Sequence, residues 1–162
     1  MRRHLTILFV VAGALAPATG AHALLGGSLS ITAPASASLG SAPVGASTVS
    51  GSLGPVKVTD TRTLALGWTA RVSSTSFSGA GLSVIPNSAV TYISGLATAT
   101  TGVVTPIPGD PLGVTLEAQK TAFASSVGAL GGTVTWNPTI RVALPANVLT
   151  GNYSGTITHS VS

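Results

Sequence analysis

The feature that most constrains this chain is a one-by-one alternation of apolar and polar residues, broken at short intervals by glycine and proline. In residues 64–73, Leu64, Leu66, Trp68, Ala70 and Val72 fall on one face and Gly67, Thr69, Arg71 and Ser73 on the other. In residues 133–144, Val134, Trp136, Ile140, Val142 and Leu144 oppose Thr133, Thr135, Thr139 and Arg141. In residues 153–161, Tyr153, Ile157, His159 and Val161 alternate with Ser154, Thr156, Thr158 and Ser160. A side-chain period of two belongs to strands with one buried face. Gly26-Gly27, Pro34, Gly54-Pro55, Pro86, Gly131-Gly132 and Gly151 punctuate the pattern, and long windows of helix formers are missing. Further strands are expected over 29–32, 47–53, 56–59, 90–93 and 114–118. Pro138 cannot donate to a ladder and marks an edge or bend. Residues 94–113 lack periodicity and read as a long loop, and 124–132 as a second, Gly-rich one. No internal repeat or linker divides the chain. The expectation is an all-β fold, an immunoglobulin-like sandwich of about eight antiparallel strands.

The first residues do not fit this pattern. Arg2 and Arg3, an apolar run over 5–15, and Ala21-His22-Ala23 have the layout of a secretory leader cut after Ala23. The run is shorter than the ~20 residues that span a bilayer, and no later segment spans either. Residues 24–162 are therefore expected to form a single mature domain without a membrane span, large enough for a real core. Its charges are Lys57, Arg62, Arg71, Lys120 and Arg141 against Asp60, Asp110 and Glu117. No cluster of cations follows a phosphate backbone, so nucleic acid is not an expected partner. The chain holds 0 cysteines, so packing alone must stabilise it, which leans towards a bacterial exported protein.

Little in the mature segment suggests catalysis. His159 is its one histidine, expected inside the core, and a single histidine among many serines makes no triad. Three scattered acids supply neither a metal cluster nor a favoured glycosidase pair. Dinucleotide and phosphate-loop patterns are absent. No catalytic, cofactor or metal residues are assigned. Trp68 reads as a core indole, or as a stacking platform for sugar rings if exposed. Asp60 and Arg62, two residues apart, read as a local ion pair or an aspartate-capped turn. Outward rows of Thr and Ser read as a soluble sheet face, or as a surface that hydrogen-bonds polysaccharide or a neighbouring subunit.

Three segments carry a resemblance: VKVTDTR (56–62), GWTA (67–70) and LPANVLTGNYSGTITHSV (144–161). Together they resemble the WxL-type family of bacterial cell-surface proteins, in the form of an actinobacterial-type secreted variant, over nearly the whole mature chain. Ala70 stands where the first family motif has leucine, and His159 where the second usually has tryptophan. The resemblance implies an exported β-sandwich bound non-covalently to the peptidoglycan-bearing cell wall, often beside other surface proteins. It makes Asp60, Arg62, Trp68, Tyr153 and His159 the motif positions linked to wall binding. The competing reading is a pilin-like or adhesin-like subunit that assembles through strand edges.

Overall fold

The computed structural model describes residues 4–10, 26–64, 66–79, 83–126 and 130–162, with 4–10 and 130 by their backbone alone. Of the expected leader, only 4–10 is described; the cleavage site lies outside the described residues. The fold is all-β, with no α-helix among the described residues. Among the described residues, seventeen strand segments form four sheets. The count exceeds eight because many segments are only two or three residues long.

The first sheet orders β3 (Ser36–Pro43), β1 (His4–Val10), β16 (Asn152–Ser154), β7 (Phe77–Gly79) and β8 (Val84–Ile85). The second orders β10 (Ala97–Val103), β14 (Leu130–Trp136), β5 (Val56–Asp60) and β2 (Leu29–Thr32). The third orders β11 (Pro106–Pro108), β13 (Lys120–Ser125), β6 (Trp68–Ser74) and β17 (Ile157–Val161). The fourth orders β12 (Val114–Thr115), β9 (Val90–Ile93), β15 (Thr139–Ala143) and β4 (Thr48–Ser52). Pairing is antiparallel throughout, except that β1 runs parallel to β16.

The alternation explains the core. Trp68, Ala70 and Val72 are buried on β6 while Arg71 is exposed. On β15, Ile140 and Val142 are fully buried and Arg141 is exposed. One contiguous apolar cluster draws residues from all four sheets, as stacked sheets require when each buries a single face. Its centre is aromatic: Phe123 of β13 and Trp136 of β14 stack with ring centroids 4.8 Å apart, which adds to the area they bury.

Three expectations need correction. Residues 94–113 are not one loop, because β10 and β11 lie within them. β10 is an edge strand exposed at every position from Thr98 to Val103. With no buried face it has no apolar alternation to read. The expected strand over 64–73 begins only at Trp68. Leu64 is 43% exposed, in a turn where the Leu66 N–H donates to the Leu64 carbonyl. The Gly-rich loop expected over 124–132 shrinks, because β13 runs to Ser125 and β14 starts at Leu130; residues 127–129 lie outside the described residues.

Candidate functional site

The five motif positions do not converge on a surface. Trp68 is 4% exposed, Tyr153 1%, His159 1% and Asp60 3%. Each holds part of the frame.

Asp60 ends β5, and Arg62 follows it in the turn. Arg62 Nε donates to Asp60 Oδ1 and Arg62 Nη2 to Asp60 Oδ2, both at 2.9 Å. The Arg62 backbone N–H donates to Oδ1 as well, at 2.9 Å. The ion pair and the aspartate-capped turn are thus a single structure. Nη2 also reaches the carbonyls of Leu66 (3.3 Å) and Gly67 (3.2 Å). A planar guanidinium supplies this fork of donors. It ties the end of β5 to the start of β6 and so sets where Trp68 enters the core.

His159 of β17 lies in the core beside Tyr92 of β9 and Trp136 of β14. Trp136 Nε1 donates to the Tyr92 hydroxyl at 2.8 Å, and that hydroxyl lies 3.1 Å from His159 Nε2. With the indole N–H filling the acceptor side of the oxygen, the Tyr92 O–H is free to donate to Nε2. This assignment, made from the network, leaves the imidazole neutral with its proton on Nδ1. His159 Nδ1 is buried without a hydrogen-bond partner. Burial pushes the His159 pKa down from 6.5 to about 4, because a charged imidazolium would lose its hydration there. Burial likewise pushes the Tyr92 phenol well above its ordinary range, only partly offset by the Trp136 hydrogen bond. His159 offers no base to a surface-bound substrate; it joins three sheets through their aromatic rings.

Tyr153 of β16 donates its hydroxyl proton to the Leu149 carbonyl at 3.0 Å, which leaves it to accept from the Ser83 hydroxyl, 2.6 Å away. Its ring lies over Gly79, where any Cβ would sit 2.5 Å from a ring carbon. The remaining acids stand apart. Asp110 Oδ1 caps its own turn by accepting from the N–H groups of Leu112 and Gly113, and Glu117 is exposed. Among the described residues, no three histidine, aspartate or glutamate side chains come together to hold a metal.

The surface carries a different pattern. Cross-strand register lines up Thr101 of β10, Thr133 of β14, Thr59 of β5 and Ser30 of β2 across four strands. The next row is Ala99, Thr135, Lys57 and Thr32. Directly opposed residues share a face, so both rows lie together. On the opposite face Val134, Val58 and Ile31 enter the core. The Thr101 and Thr133 hydroxyls are 2.8 Å apart. Hydroxyls thus repeat across the strands every ~4.8 Å, with Lys57 the one charge in the two rows. The alternation marked threonine as the outward set; which threonines become neighbours depends on register between distant strands.

No family model matches this chain, and no curated protein matches it. Among solved structures, a family 123 glycoside hydrolase from Clostridium perfringens, described in connection with glycolipid glycan hydrolysis, matches at 12% identity with a TM-score of 0.39. The match covers 70% of this chain and 19% of that one. The chain therefore spans about a fifth of that hydrolase, and a likeness this distant carries no argument about activity.

Proposed function

We propose that the mature chain is a secreted, non-catalytic domain of the bacterial cell surface that binds cell-wall polysaccharide, peptidoglycan included, without a covalent link. The contact is the hydroxyl face of the β10–β14–β5–β2 sheet. The observation that carries the reading is the cross-strand row Thr101–Thr133–Thr59–Ser30 beside Thr135 and Thr32. Each hydroxyl both donates and accepts, as do those of a glycan, and the sheet fixes their spacing in advance. Resemblance to WxL-type surface proteins in the 56–62, 67–70 and 144–161 segments supports the wall as the setting. The buried motif residues serve this function indirectly, by holding the sheets together.

The test is sedimentation of the exported protein with insoluble peptidoglycan. The native protein is expected to sediment, and Thr59→Val with Thr133→Val to weaken binding by roughly thirtyfold, at about 1 kcal/mol for each of the two hydrogen bonds lost. Salt is expected to change little, since one lysine serves both rows. Native protein left in the supernatant would remove the wall reading; full binding by the double variant would remove this face.

A further inference from the structure

The segment expected to be the leader occupies an interior place in a sheet. β1, with the sequence HLTILFV, lies between β3 and β16. It pairs antiparallel with β3 at seven positions, from His4↔Pro43 to Val10↔Ser36. It pairs parallel with β16 at Thr6↔Asn152 and Ile7↔Tyr153. Among the described residues, no other strand forms a ladder with β3.

Both flanking strands are fixed by contacts within the mature segment. On β3, Leu39 and Ala42 are buried in the core, and the Leu39 backbone lies so close to Gly51 of β4 that a Cβ there would meet it at 2.8 Å. The Ala46 N–H closes the following turn onto the Pro43 carbonyl at 3.1 Å. On the other side, β16 pairs with β7, and both hydrogen bonds of the Tyr153 hydroxyl hold it down. Strands that flank a third lie about 9.6 Å apart, twice the ladder spacing, and cannot bond each other. Cleavage after Ala23 therefore leaves a gap one strand wide, with unpaired backbone on both sides.

We infer that the mature domain accepts a strand donated by a second exported protein into the gap between β3 and β16. The present occupant defines the chemistry that fits: about seven extended residues, rich in Leu, Ile, Val or Phe, antiparallel to β3 and parallel to β16. Backbone hydrogen bonds to two edges supply the affinity. Cleavage leaves five residues, Leu24 to Ser28, ahead of β2, too few to supply such a strand to a neighbouring copy from that end. The inference rests on export and cleavage, as the proposed function does, but uses a different surface.

The test starts from the full precursor expressed in a bacterial host and the product it releases. Mass spectrometry is expected to place the released N-terminus at Leu24. Synthetic HLTILFV peptide is then titrated into that product while hydrogen exchange and the melting midpoint are followed. Expected results are saturable one-to-one binding, slowed exchange over residues 36–43, and a midpoint raised by roughly 5–10 °C at a hundredfold excess over Kd. A peptide carrying Ile7→Pro and Leu8→Pro, which removes N–H donors towards both edges, is expected not to bind. The uncleaved Ala23→Arg precursor, its gap already filled, is also expected not to bind. Retained residues 1–23 on the released product, protected β3 amides without peptide, homodimers formed through β3, or equal binding by the precursor would each overturn the inference. Peptide binding without peptidoglycan sedimentation would sink the wall reading and keep this one; sedimentation without peptide binding would do the reverse.

Discussion

At the scale of single residues, a few polar groups have been drawn into the frame, and their energetics can be measured. The Asp60 carboxylate has 2% of its side chain exposed and relies on Arg62. Removing one partner of a buried pair strands the other charge, at about 3–5 kcal/mol. Arg62→Ala is therefore expected to lower unfolding stability by about 3 kcal/mol, and Asp60→Asn with Arg62→Ala by clearly less, in urea melts of the four proteins of the cycle. For His159 the sign follows from linkage. Its folded pKa, near 4, lies below the 6.5 expected when unfolded, so the unfolded chain binds the extra proton as pH falls. The full stability is present above about 6.5 and is lost towards 4, by up to about 3 kcal/mol. Urea melts between pH 7.5 and 4 are expected to show that slope, and His159→Phe to flatten it. Ala70 is fully buried opposite Phe123, where the resembled WxL-type motif has leucine. Ala70→Leu is expected to cost about 1–3 kcal/mol through overpacking, read by thermal melting. The sequence showed that Asp60 and Arg62 share a face; that the pair also captures the Leu66 and Gly67 carbonyls depends on a turn with no pattern of its own.

At the scale of elements, legibility followed burial. β2, β5, β9 and β15 lie within a residue or two of the expected strands because each has a buried face that the alternation reports. β10 escaped for the opposite reason: exposed along nearly its whole length, it is held to β14 by the backbone ladder and by the Thr98 and Thr101 hydroxyls, and neither leaves an apolar alternation in the sequence. β7 is too short for alternation to register, and the single alternation expected over 153–161 is in fact two strands in different sheets, β16 and β17, broken at Gly155 and Thr156. The pairing of β7 with β16 depends on a shape match instead, since Gly79 leaves space for the Tyr153 ring. Gly79→Ala drives a methyl group into that ring and is expected to cost about 1–3 kcal/mol in a thermal melt. Tyr153→Phe keeps the ring and should instead cost about 1 kcal/mol, the usual worth of a hydrogen bond. A larger loss for the glycine variant than for the tyrosine variant would show that ring packing, rather than the hydroxyl, holds β16 to β7.

At the scale of the whole molecule, the motif aromatics and the proposed wall contact lie on opposite sides of the sheets, and this separation can be tested optically. Trp68 and Trp136 are the only two tryptophans of the chain, 4% and 0% exposed. Both reach the same apolar cluster, fed by every sheet, so neither senses the hydroxyl rows directly. Indole emission is expected to be blue-shifted and resistant to iodide quenching in the folded protein. It should shift red in a single step coincident with the loss of far-UV circular dichroism, as a domain with one core unfolds. Peptidoglycan fragments should bind without moving the emission, because the proposed contact is made by threonine and serine on the outer face. An emission change on binding that disappears in Trp68→Phe would place the indole at the contact after all, and the motif residues would then bind glycan as stacking platforms rather than as the frame behind the binding face.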